Sequence, residues 1–256
     1  MKIEKISASA LKTFEHCPLE FYAVYVLKVP PVLPHPNTLM GSTVHSMMEK
    51  ASKQMIAARK SNNPVFVDPM QFKQVACEEF KVASDLYPTI DELVSNAKQW
   101  GYFKNIDKTV GCELEIGFDL PDGIHVKGFI DRLDLDLPKA DIIDLKTQKN
   151  AFTSFELENN WQARIYNIGA RKLYPELHGN TTVSFWVLRH LVQRVTKTAL
   201  DAEWDYQLIK EKVDEIKECD DPQPNPTPLC QWCPYLACPT RSENSHDKLR
   251  RIMKRV

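Results

Sequence analysis

Apolar and polar positions along this chain repeat with two different periods, and the change from one to the other divides it. Residues 7–27, SASALKTFEHCPLEFYAVYVL, repeat at helical spacing. VPPVLPHP, 29–36, follows as a stiff connector. Over 42–60, Val44, Met47, Met48, Ala51, Met55 and Ile56 form an apolar stripe on one helix face. Helical patterning recurs over 69–86 and 89–104. The period then shortens to two, which predicts strands over 111–120 and 124–137, joined by the turn Pro121-Asp122-Gly123. A third strand covers 141–147, and a helix over 155–174 ends before Pro175. TTVSFWVLRHL is a strand, QRVTKTAL pairs with it, and 202–218 is a last long helix. PQPNPTP, from 222, leads into a cysteine cluster. The order predicts an α/β fold: a mixed sheet flanked by helices, with extra helices ahead of it. The expectation is one domain, 1–256, with a helical part to 110, a sheet core over 111–200, and a helix and cysteine segment over 201–256.

One stretch of this pattern carries unusual charge. GFIDRLDLDLPKADIIDLKTQ, 128–148, reads as two strands around a short turn. Alternate side chains of a strand point to opposite faces. The odd row is Phe129, Asp131, Leu133, Leu135, Leu137, and the even row is Ile130, Arg132, Asp134, Asp136. Asp134 and Asp136 are expected in a solvent-facing row. Asp131 falls in the greasy row, where a bare carboxylate is costly. In the next strand Asp144 and Lys146 share a face with Ile142, while Ile143 and Leu145 take the other. A lysine-neutralised ion pair would account for this. A divalent-metal site accounts for it too. Two carboxylates about 4 Å apart repel by about 4 kcal/mol at an intermediate dielectric. A lysine offsets part of that, whereas Mg²⁺ or Mn²⁺ offsets all of it and prefers oxygen ligands.

Composition narrows the setting. The 256 residues are 43% hydrophobic and 26% charged, as in ordinary soluble globular proteins. No run approaches the ~20 apolar residues of a membrane helix. The start, MKIEKISASALKTF, lacks the apolar region of a signal peptide, so a cytoplasmic location is expected. Net charge is -1, so any nucleic-acid surface must be a local patch. The dense basic run Lys248, Arg250, Arg251, Lys254, Arg255 reads, taken alone, as a solvated helix end.

CQWCPYLAC supplies Cys230, Cys233 and Cys238, and three close thiols call for a fourth. Cys17, in EHCPLEFY, is the best candidate; like Cys233 and Cys238 it precedes a proline. Disulfides are disfavoured without an export signal. Spacing alone leaves zinc and an iron–sulfur cluster equally open. Cys77, Cys112 and Cys219 read as small hydrophobes.

Two further groups sit oddly for a purely structural role. His45 lies beside the apolar stripe of its helix, and Gln162 and Tyr166, four apart, share a helix face. Leu39-x-Gly41-x-x-x-His45, Gly128-x-x-Asp131, Asp144-x-Lys146 and Gln162-x-x-x-Tyr166 follow one another in that order. This series resembles the RecB-like branch of the PD-(D/E)XK nucleases. With the split cysteine set it resembles the iron–sulfur version in AddB-type nuclease domains and CRISPR-associated RecB-like exonucleases. The resemblance runs from SASALKTFEHCP to CPYLACP; 60–105 matches none of its motifs.

The resemblance implies a restriction-endonuclease-like core, with the N-terminal helical part and the C-terminal cysteine segment packed together. It implies that His45, Asp131 and Asp144 ligate Mg²⁺ or Mn²⁺, with the Leu145 carbonyl. Lys146 would orient the attacking water, and Gln162 and Tyr166 would position the catalytic groups. Glu113 fits an upstream acidic position, with Glu115 its competitor. Cys17, Cys230, Cys233 and Cys238 would hold a 4Fe–4S cluster, with zinc the alternative. The activity implied is a DNA nuclease, an exonuclease on single strands or ends; the alternative is a non-catalytic DNA-binding or assembly subunit with this fold. No GxxxxGK[ST] loop is present, so unwinding would need a helicase or recombination partner.

Overall fold

A computed structural model describes residues 1–29 and 35–227, with positions 230, 233, 235 and 238. The basic run at 248–255 and part of the proline-rich connector lie outside the described residues.

The chain opens with strand β1 (Lys5–Ser7) and helix α1 (Ala8–His16). Ser7 caps α1, its hydroxyl accepting the Ala10 N–H at 3.3 Å. The expected continuous helix over 7–27 breaks at Cys17, whose backbone is extended ahead of Pro18. Helix α2 (Pro18–Phe21) restarts there and runs into a π-helical turn, Tyr22–Val26. The long helix α3 (Pro36–Lys60) begins with Pro36 in its first turn. It is followed by α4 (Lys73–Glu79) and α5 (Tyr87–Gln99), each entered through a 3₁₀ turn.

The strands β2 (Thr109–Asp119), β3 (His125–Asp136) and β4 (Lys139–Lys146) match the predicted ones within a few residues. The predicted helix over 155–174 is two helices, α6 (Ser154–Glu158) and α7 (Trp161–Leu173). Two caps divide them: a Thr153–Glu156 capping box starts α6, and the Asn160 side chain accepts N–H groups of Gln162 and Ala163 to start α7. Strands β5 (Thr181–Val187) and β6 (Leu191–Lys197) and helix α8 (Ala199–Glu218) complete the described elements.

The sheet is mixed and six-stranded, in the order β1-β3-β4-β5-β6, with β2 also on β3. β3 and β4 are antiparallel, from Arg132 opposite Ile143 to Asp136 opposite Lys139. β4 and β5 are parallel, from Ala140 beside Thr181 to Lys146 beside Val187. A parallel neighbour needs a crossover, and α6 and α7 supply it. β1, which is too short to show a period, joins β3 in parallel, with Ile6 beside Val126.

Contacts divide the chain into two compact units. One comprises Met1–Pro34, Phe118–Lys127 and Tyr206–Val256; the other comprises His35–Gly117 and Gly128–Asp205. Within the first, the N-terminal residues meet the end of α8 and the segment that follows it. The terminal amine donates to the Lys217 carbonyl at 2.5 Å, the Leu19 N–H to the Gln223 carbonyl at 3.3 Å, and the Asn225 side chain to the His16 carbonyl at 2.8 Å.

The second unit carries an apolar core in which α3, α4 and α5 cover one sheet face. Met40, Val44, Met47, Met48, Ile90 and Leu93 pack with Ile143, Leu145 and Trp186. This corrects the expectation for Asp134, which shares its row with Arg132. Neither faces solvent: Arg132 is 1% exposed and Asp134 5%. Arg132 stands opposite Ile143, and residues directly opposite share a face. That face lies under the helices, so charge must be paired internally. Arg132 donates to both Asp134 oxygens, at 2.8 and 2.6 Å, and to the Tyr102 carbonyl, while the Thr109 hydroxyl donates to Asp134 at 2.6 Å. Asp136, one pair further on, is exposed as expected.

Candidate active site

Strand parity holds at the site itself. Ile143 and Leu145 turn into the helix-covered core. Asp144 and Lys146 turn the other way, toward α7, where Gln162 and Tyr166 meet them. The Lys146 ammonium lies 2.5 Å from Asp144 Oδ2 and donates to Gln162 Oε1 at 2.9 Å. Gln162 Nε2 donates to Asp144 Oδ1 at 3.2 Å and to the Tyr166 hydroxyl at 3.0 Å. The Tyr166 oxygen lies 2.7 Å from the Phe129 carbonyl and 2.9 Å from Asp144 Oδ1, and its one proton can serve either. Gly128 brings α7 this close: a Cβ there would meet Tyr166 Cε1 at 3.3 Å and Ile165 Cγ2 at 3.4 Å.

Asp131 extends the network across strands. Its Oδ2 accepts the Leu145 N–H at 2.6 Å, and its Oδ1 lies 3.3 Å from His45 Nδ1 on α3. Glu113 arrives from β2 with φ +48°, a left-handed conformation that is strained for a side chain of this kind. Single ligand atoms of His45, Glu113 and Asp131 lie within 4.8 Å of one another. Glu113 joins this group; Glu115 does not.

The electrostatics follow from burial and from this crowding. Burial opposes charging His45, but the Asp131 carboxylate outweighs it and holds the imidazole up at about 9. Burial likewise opposes ionisation of Asp131, but His45, the Leu145 N–H and Lys146 hold its carboxyl below the usual range. Glu113 is pushed up, by burial first and then by the charges of Asp131 and Glu49. Asp144 is pushed up by burial and by Asp131, against the pull of Lys146. Tyr166 is pushed well up by burial and by the Asp144 charge.

This donor set fits a divalent cation. Two carboxylates and an imidazole converge, burial and the neighbouring charges of Asp131 and Glu49 push the Glu113 carboxyl up, and a cation would relieve that repulsion. Asp144 stands apart from the three, its carboxylate committed to Lys146, Gln162 and Tyr166. Its Oδ2 is buried without a hydrogen bond of good geometry, with the Lys146 charge beside it. The His45, Glu113 and Asp131 side chains face a cleft of about 710 Å³, which Thr147, Lys149 and Arg189 also line. Sequence reasoning did not single out Arg189. Its signal is weak: an Arg-His pair at the end of an apolar strand.

No disulfide joins any two of the described cysteines. Cys17 Sγ accepts the Asn225 N–H at 3.4 Å, and Cys230 Sγ accepts the Thr227 N–H at 3.2 Å. Cys77 and Cys112 are buried, as small hydrophobes should be. Among the described residues no helix is long and apolar enough to cross a membrane.

Solved structures share this architecture. A protein of Eubacterium rectale named "Putative exonuclease" matches with 17% identity and a TM-score of 0.54, covering 96% of this chain and 92% of its own. A second protein, SSO0001, matches with 12% identity and a TM-score of 0.43, covering 94% and 89%. The first likeness shows the fold; the second is too distant to carry an argument. No curated protein matches the sequence. The family model of the PD-(D/E)XK nuclease superfamily matches residues 5–238, a span that takes in every residue of the network as well as Cys17, Cys230, Cys233 and Cys238. By that match the chain belongs to the PD-(D/E)XK nuclease superfamily.

Proposed function

We propose that this nuclease-family protein is a divalent-metal-dependent deoxyribonuclease that works as an exonuclease on single-stranded DNA or DNA ends. The observation that carries the reading is the convergence of His45, Glu113 and Asp131 on one cleft, one strand away from the Asp144–Lys146 pair. His45, Glu113 and Asp131 would hold Mg²⁺ or Mn²⁺ in the arrangement seen, and Asp144 with the Leu145 carbonyl, the further ligands that the resemblance implies, would complete the set. A bound divalent ion makes hydroxide available near neutral pH and stabilises the leaving oxygen.

The chain's own groups do the rest. The Lys146 ammonium orients the attacking water and offsets charge that grows on the phosphate as the new P–O bond forms and the old one breaks. Gln162 fixes the lysine from its oxygen and Asp144 from its nitrogen, so the pair keeps one geometry. The Tyr166 hydroxyl lies between Asp144 and the Phe129 carbonyl of β3 and donates its one proton to either. Asp131, tied to the Leu145 N–H, keeps β3 and β4 in step at the site.

Cys17, Cys230, Cys233 and Cys238 hold a 4Fe–4S cluster in this reading, with zinc the alternative, and its role is structural. The protein works in the cytoplasm, and a separate helicase or recombination partner supplies any unwinding.

Labelled linear and circular single-stranded DNA, incubated with Mn²⁺ beside Lys146→Ala, tests the proposal. Lysine-dependent cutting of linear DNA alone is the expected result. Cutting of circles means an endonuclease. No cutting by well-folded, metal-loaded protein means a non-catalytic DNA-binding subunit.

A further inference from the structure

The cleft presents a difficulty to any nucleic acid. Glu49, Glu79, Glu113 and Asp131 line it, and a polyanion approaching them is repelled. Glu49 and Glu79 are answered by Lys53 and Lys50. Besides His45, which is paired with Asp131, two basic side chains line the cleft, Lys149 and Arg189. Among the described residues neither forms an ion pair with a carboxylate.

Arg189 differs from Lys149 in how firmly it is placed. It sits in the turn between β5 and β6, half-buried. Hydrogen bonds tie this turn to the segment just past β4. The Leu188 N–H donates to the Lys146 carbonyl at 2.9 Å, Arg189 Nε donates to the Thr147 carbonyl at 3.1 Å, and the His190 ring contacts the Lys149 carbonyl. From the other side the Asn96 amide donates to the Leu188 carbonyl at 2.9 Å. Arg189 Nη2 rests against Met40 Sδ at 3.9 Å. Gly41 lets α3 close on the same point, since a Cβ there would stand 3.0 Å from Thr147 Oγ1. The guanidinium is therefore hitched one residue past Lys146, and among the described residues Nη1 has no hydrogen-bond partner. A planar fork that is charged and fixed in place suits a phosphate's paired oxygens.

We propose that Arg189 is a phosphate subsite of the cleft: its guanidinium binds the non-bridging oxygens of a nucleic-acid phosphate and registers the strand against Lys146. The inference rests on the nuclease reading above. Arginine at this place answers the acid wall, which a neutral side chain cannot do.

The test is binding of fluorescent single-stranded oligonucleotides to full-length protein in Ca²⁺, across a salt series, for wild type, Arg189→Gln and Arg189→Lys. Loss of one charged contact should weaken Arg189→Gln binding by about tenfold or more and flatten the log–log salt slope by about 0.7. Arg189→Lys should keep the slope and lose part of the affinity. Melting temperature and Mn²⁺ affinity should stay at wild-type values in both. A 5′-phosphorylated oligonucleotide compared with its 5′-hydroxyl twin separates the phosphate sources: an Arg189-dependent difference assigns an end phosphate, and none assigns the backbone. If Arg189→Gln binds like wild type with an unchanged slope, or mainly loses melting temperature and Mn²⁺ affinity, the residue braces Thr147 and the proposal fails. If wild type itself neither binds nor cuts DNA, the nuclease reading fails first.

Discussion

Gln162 grips Lys146 from α7: its amide oxygen accepts a hydrogen bond from the ammonium at 2.9 Å, while its nitrogen donates to Asp144 at 3.2 Å. One side chain thus sets both members of the buried pair. Gln162→Leu removes that clamp without adding charge. It should lower kcat by roughly 10–100-fold with little change in KM, the cost usual for a group supporting a metal-site residue. Steady-state kinetics on linear single strands decide this, and an unchanged kcat would count against the positioning role.

Lys146→Ala should abolish cleavage and leave DNA binding nearly intact. The fold should survive, because burial already pushes the Asp144 carboxyl up and protonation can neutralise it once the lysine is gone. Circular dichroism beside a binding titration checks both halves. A variant that fails to fold would mean that Lys146 is there for structure.

Chelated protein should be stabilised by Mn²⁺ or Mg²⁺, by about 2.7 kcal/mol at a hundredfold excess over Kd. Asp131→Asn keeps an acceptor for the Leu145 N–H but loses the charge. Its melting temperature should no longer respond to either ion. A full ion response in this variant removes Asp131 from the metal site.

Arg132→Ala should destabilise by about 3–5 kcal/mol, because it leaves the Asp134 carboxylate buried without its counterion. Denaturant unfolding measures it. A loss below about 1 kcal/mol would show that water reaches Asp134.

Anaerobically purified protein should be coloured and contain iron, and Cys230→Ser should bleach it and lower its melting temperature. Zinc in a colourless wild type would sink the cluster assignment.

Much of this site was legible in the order of motifs. Strand parity separated Asp144 and Lys146 from Ile143 and Leu145, because a strand's alternation is local and survives any packing. The i, i+4 spacing put Gln162 and Tyr166 on one helix face for the same reason. Parity misplaced Asp134. It says which residues share a face but not what covers that face, and here three helices from earlier in the chain do. Glu113 and Glu115 share a strand face in an ideal β2. The left-handed backbone at Glu113 breaks that ideal, and only the assembled sheet shows which acid reaches Asp131.

The sequence by itself determined the period of the longer elements, the caps and prolines that bound them, and the types of chemical group available. These are short-range properties, fixed by residues within a few positions of one another. The tertiary structure decided which groups meet. His45, Glu113 and Asp131 come from a helix and two strands, and Arg189 comes from a turn more than forty residues past Lys146. Their convergence depends on sheet order, on the β4–β5 crossover and on how closely α3 and α7 approach at Gly41 and Gly128. Long-range packing sets those features, and no local pattern encodes them.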